Sequence, residues 1–91
     1  MPHEKPDPIK LEPGEKLIVV AGNYVQARQW AVLQGIPLSQ VVYPAPGMAF
    51  RHLRGLPRGT KYLMVGTYFD RDPLDRQEVR AALHFMEATP I

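Results

Sequence analysis

The sequence predicts an α/β domain with a small parallel sheet, and three observations carry that prediction. Short β-branched runs alternate with longer segments of helical period, in the order β-α-β-α-β-α. One stop signal, a glycine, an apolar residue and a proline, closes two of the helical segments, as Gly35-Ile36-Pro37 and Gly55-Leu56-Pro57. The last helical segment places Val79, Ala82, Leu83 and Met86 at i, i+3, i+4 and i+7, the spacing of one buried face. Right-handed crossovers then put the first strand in the middle of a three-stranded sheet of order 2-1-3, with helices on both faces in three layers.

The elements follow in order. Residues 1–15 hold Pro2, Pro6, Pro8 and Pro13, four of the ten prolines. Proline fixes φ and removes a donor, so this stretch reads as a flexible proline-rich arm, leaving 16–91 as a single α/β domain. Leu17-Ile18-Val19-Val20-Ala21 is too short and too uniformly apolar for a surface helix, and reads as a strand covered on both faces. Gly22 ends it and Asn23 suits an N-cap for a helix over Tyr24–Gln34, with Ala27, Trp30, Ala31 and Leu33 supplying its inner face. Val41-Val42-Tyr43 is a second strand. Residues 48–54 suit a short helix with Phe50 and Leu53 inward. Lys61-Tyr62-Leu63-Met64-Val65 is the third strand. Asp72 caps the final helix, with Pro73 at its first position and Asp75 in its first turn. Three strands leave exposed sheet edges over a small core, which points to a homodimer.

The chain has 91 residues, 45% of them hydrophobic, enough for one domain. It has no cysteine, which excludes disulfides and cysteine-bearing zinc sites. No apolar run approaches the roughly 20 residues that span a bilayer, and the amino-terminal residues lack the apolar centre of a secretory signal, so a cytoplasmic protein without membrane contact is expected. The net charge of +2 conceals a division. Residues 1–15 and 70–91 each carry −2, whereas 16–69 hold six basic residues and no acid.

In an open parallel sheet, ligands bind beyond the carboxyl ends of the strands. Those ends supply Gly22, Asn23, Tyr24, Gly66, Thr67 and Tyr68, a candidate small-ligand crevice in which glycines admit a ligand to the backbone and the first helix offers its amides to an anion. The segment Ala21-Gly22-Asn23-Tyr24-Val25-Gln26 is neither a P-loop nor a dinucleotide fingerprint. The nearest carboxylates, Asp70 and Asp72, have structural roles as a charged turn and a helix cap. Ser39 precedes a strand, at the wrong end for a nucleophile elbow, and His3, His52 and His84 are scattered over three elements. No catalytic residue, metal ligand or cofactor site is therefore assigned, and the balance is against an enzyme. The cluster Arg51, His52, Arg54, Arg58 and Lys61 lies within eleven residues and suits phosphates or an acidic protein surface.

The strings Val19-Val20-Ala21-Gly22-Asn23-Tyr24, Leu53-Arg54-Gly55-Leu56 and Val65-Gly66-Thr67-Tyr68 resemble the small orphan α/β proteins encoded by phages of actinobacteria, over roughly residues 16–88. The resemblance implies an accessory protein acting in a bacterial host cytoplasm and transfers no catalytic residue. The expectation is a non-catalytic binding or regulatory module that contacts an acidic surface, a host protein's, through residues 51–61. The alternatives are nucleic-acid binding through the same patch, or a nucleotide-binding enzyme or degenerate NTPase-like domain with its ligand at the strand carboxyl ends.

Overall fold

Four consecutive apolar residues require cover on both faces, and Leu17–Val20 receives it: this strand, β1, is buried at every position. The computed structural model describes residues 9–91. After β1 come α1 (Tyr24–Gln34), a 3₁₀ turn (Leu38–Gln40), β2 (Val41–Val42) and α2 (Ala49–Leu53). They are followed by β3 (Lys61–Met64), a second 3₁₀ turn (Tyr68–Asp70), α3 (Pro73–Phe85) and β4 (Thr89–Pro90).

All strand pairs are parallel, in the order β2-β1-β3-β4. The expected order 2-1-3 is present, and a fourth strand extends it. β4 is two residues long and exposed, and its Thr89 and Pro90 pair with Lys61 and Tyr62. A two-residue strand containing proline has no alternation to reveal it, and proline is tolerated there because β4 lies at the sheet edge. Ile91 carries the ladder one step further by donating to Tyr62 O.

The pleat sorts β1 into two half-cores. Ile18 and Val20 face Ala49 and Leu53 of α2 and Val79, Ala82 and Leu83 of α3. Leu17, Val19 and Ala21 face Ala27 and Ala31 of α1, with Ile36 beside them. Helices thus cover both faces.

The caps follow the sequence chemistry. Asn23 Oδ1 accepts from Gln26 N at 2.9 Å, and Asp72 Oδ1 accepts from Leu74 N at 2.9 Å. Gly35 takes φ 72°, its N–H donating to Val32 O while Ile36 N donates to Ala31 O, so the first stop is a Schellman turn.

Two inward assignments are corrected. Leu33 is 84% exposed, because α1 rests on Ala27 and Ala31, four residues apart, and Leu33 lies two residues, about 200°, around the helix from Ala31. Phe50 is 47% exposed, because Ala49 and Leu53 occupy the inner line of the five-residue α2 and turn Phe50 to its flank. Of the proline-rich arm, residues 1–8 lie outside the described residues. Residues 9–15 follow the domain surface: Ile9 and Leu11 pack against the α1-side core, and Gln40 Nε2 donates to Glu12 O and Glu15 O. Among the described residues, no helix is long and apolar enough to cross a membrane.

Candidate functional site

At the carboxyl ends of β1 and β3 the fold brings Gly22, Gly66 and Thr67 together, and the chain fills the space between them with its own Gln26. The Gln26 carboxamide oxygen accepts from Gly22 N and Thr67 N, both at 3.0 Å, while its Nε2 donates to Thr67 Oγ1 at 2.8 Å. A Cβ on Gly22 would collide with Thr67 Oγ1 and lie 2.9 Å from Thr67 O. One on Gly66, whose φ is +59°, would lie 2.5 Å from Gln26 Oε1. Both glycines therefore make room for this internal bridge. Asn23 is spent on its cap. Tyr24 stands exposed with its ring edge-on to Tyr43, centroids 5.9 Å apart, and Tyr68 packs against the core on the α3 side.

Beside this bridge, Arg71 closes the ends of β1 and β2. Its guanidinium is buried, donating from Nε to Asp75 Oδ2 at 2.5 Å, from Nη1 to Ala21 O at 3.2 Å and from Nη2 to Pro44 O at 2.8 Å. Asp75 Oδ1 also accepts from Gly47 N at 3.2 Å, tying in the loop before α2. Tyr43 covers the guanidinium, whose carbon lies 5.5 Å from the ring centroid. Burial pushes the Asp75 carboxyl up, but the hydrogen bonds from Arg71 and Gly47 and the Arg71 charge outweigh it, so the group is held below the usual carboxylate value. Burial pushes the Tyr43 phenol up. The crevice is thus braced by the protein's own polar groups. The role of Arg71 was missed in the sequence, where it reads as one charge in a polar turn. Asp75 reads there as a first-turn acid, and Gln26 as an ordinary polar residue of the first helix.

The basic cluster divides. His52 Nδ1 accepts from Ala45 N at 3.1 Å, which fixes the imidazole on the loop before α2. Lys61, at the start of β3, pairs with Glu15 at 3.4 Å. Arg58 pairs with Glu87 at 3.3 Å, both side chains largely in solvent. Arg51 and Arg54 are exposed, and among the described residues they form no ion pair.

Between α2 and α3, two of these arginines border an apolar groove of about 410 Å³. Phe50 and Phe85 stand in it edge-to-face, centroids 6.4 Å apart at 65°, with Leu56 and Met86 beside them and Arg54 and Arg58 at its border. Phe85 is 78% exposed. Large apolar side chains left in solvent beside a charged rim mark an interaction surface more often than a defect of packing. The signal for this groove was present but misassigned, because Phe50 was placed in the core. The outer side of α1 shows a second apolar stripe, Tyr24, Val25, Val32 and Leu33, with Arg28 among them.

No group of three or more histidines and carboxylates that could hold a metal occurs among the described residues. The groove offers van der Waals contact, aromatic edges and two guanidinium groups, a chemistry of recognition. No family model, curated protein or solved structure matches this chain.

Proposed function

We propose that the protein is a non-catalytic binding module that contacts an acidic surface of another protein at the groove between α2 and α3. The observation that carries this reading is the pair of solvent-exposed phenylalanines, Phe50 and Phe85, in a groove that Arg54 and Arg58 also line. Aromatic anchors with arginine beside them are the residue types that dominate binding energy at protein interfaces. The residues at the strand ends are engaged in internal hydrogen bonds, which favours the groove over the crevice as the recognition surface. The resemblance to phage-encoded proteins makes a bacterial host protein the expected partner.

Affinity capture from host lysate tests this reading with three proteins side by side: the wild type, the triple charge reversal of Arg51, Arg54 and Arg58 to Glu, and Phe85→Ser. A partner retained by the wild type and lost by both variants supports it. A partner retained equally by all three removes the groove from the account. A second reading is favoured by the same exposed rings, since Phe50 and Phe85 supply aromatic surface beside arginines, as in proteins that bind single strands. Binding of oligothymidine that falls steeply with salt identifies that case.

A further inference from the structure

Glu87 is a residue out of place. It follows the end of α3, where Ala88 N donates to Leu83 O and Glu87 N to His84 O, the hydrogen bonds of a helix-ending turn. The position between them requires a left-handed backbone, and glycine is the usual occupant. Glu87 holds it with φ 54°, the one positive φ outside glycine among the described residues. At its two glycine-and-proline stops this chain places Gly35 and Gly55, with φ 72° and 87°. A strained side-chain-bearing residue at such a point is where a functional role is sought. The side chain reaches Arg58, at the border of the Phe50–Phe85 groove, with Oε2 3.3 Å from Nη1.

We propose that Glu87 is a built-in competitor at this groove: in the free protein it occupies Arg58, and it yields Arg58 to a carboxylate of an acidic peptide segment whose phenylalanine or leucine side chains seat against Phe50 and Phe85. This rests on the groove being the recognition surface and names what that surface takes. Three features select the occupant. The groove is apolar between the rings, with Leu56 and Met86 beside them, so it takes apolar anchors. Its arginines, Arg54 and Arg58, come from a stretch with no acid in it, so the charge it seeks is negative. The anion already at Arg58 is a carboxylate, which shows the geometry that a partner's carboxylate reproduces. A peptide fits better than a nucleic acid strand, because the rings stand at 65° to one another and offer no common plane for stacked bases. Both members of the Arg58–Glu87 pair are well solvated, so the pair is weak and its exchange is cheap.

The test is fluorescence anisotropy on the full chain with a labelled peptide alternating Glu with Phe and Leu. One control peptide carries Lys in place of Glu, another Ser in place of the apolar residues, and oligothymidine forms a fourth arm. The expected result is binding of the first peptide alone, abolished by Phe85→Ser and tightened about two- to five-fold by Glu87→Gln, the range an exposed ion pair accounts for. Glu87→Gly tightens it similarly and also raises the melting temperature, since it relieves the left-handed backbone. In the Arg58→Gln background the gain from Glu87→Gln disappears. If the peptide binds in a manner sensitive to Phe85→Ser but indifferent to Glu87→Gln and Glu87→Gly, the competitor role is overturned while the groove stands. If no peptide binds, or binding ignores Phe85→Ser, the groove itself falls. Oligothymidine binding tighter than the peptide's and lost in Phe85→Ser replaces the peptide with a nucleic acid strand.

Discussion

Gly22 and Arg71 show how single residues settle the carboxyl ends of the sheet. At Gly22 any Cβ meets Thr67 Oγ1 and the Thr67 carbonyl, and the carbonyl cannot rotate away as a side chain would. Gly22→Ala is therefore expected to destabilise the fold by about 1–3 kcal/mol, the range for overpacking, as measured by urea denaturation. Arg71 is the more expensive residue to lose, since three acceptors from three segments meet on it. Arg71→Met leaves the buried Asp75 carboxylate without its partner, an expected cost of about 3–5 kcal/mol, against a total stability of about 5–15 kcal/mol for domains of this kind. The pair also sets an acid limit. Asp75 titrates below its ordinary value of 3.8 in the folded protein, so its contribution is complete above that value and is lost as pH falls through the lower folded value. Melting temperature should accordingly decline in that acid range. In Arg71→Met the burial that raises Asp75 is unopposed by the guanidinium, so the acid-range dependence reverses, and stability recovers as the carboxylate is protonated. A variant as stable as the wild type at neutral pH contradicts the clamp. Neither Gln26 nor Arg71 was legible as a bracing residue: Gly22 and Asp75 lie only four positions from them, but Thr67 and Ala21 lie 41 and 50 positions away, and no local pattern records those contacts.

At the scale of elements, the legible features were those with local causes. Asn23, Gly35 and Asp72 cap or stop helices through bonds made within a few residues, and each does so in the structure. Asn23→Ala removes the acceptor for Gln26 N and should destabilise the domain by about 0.5–2 kcal/mol, with Asn23→Asp close to neutral, by thermal denaturation. A loss as large in Asn23→Asp as in Asn23→Ala counts against a capping role. The face of α3 was legible because thirteen residues repeat its period, and Val79, Ala82 and Leu83 are buried as their spacing requires. In α2, five residues complete little more than one turn, so periodicity could not decide between Leu53 and Phe50. On α1, apolar residues occur around the helix: Ala27 and Ala31 face inward as expected, and only the sheet's position shows that Leu33 faces out. β4 was invisible for the same reason in extreme form, since its pairing is dictated by β3 and by the turn that ends α3.

Over the whole molecule, the charge division in the sequence becomes a pattern of contacts. The acidic ends return to the acid-free body: Glu15 pairs with Lys61 and Glu87 with Arg58. Arg51 and Arg54 form no such pair among the described residues, and they lie on the side of the sheet where Phe50 and Phe85 are exposed. The amino-acid order thus showed the basic stretch, residues 51–61, though not that its Arg58 and Lys61 pair with Glu87 and Glu15. The exposed rings that give it an apolar floor emerged only from the packing of α2 against α3. The central claim is that this groove, and not the braced crevice at the strand ends, is where a partner binds. Amide chemical-shift mapping tests it most directly, with the peptide alternating Glu with Phe and Leu titrated into the labelled protein. The expected shifts concentrate at residues 50–58 and 82–87. Shifts concentrated at 22–26 and 66–68, with the groove unmoved, contradict the account.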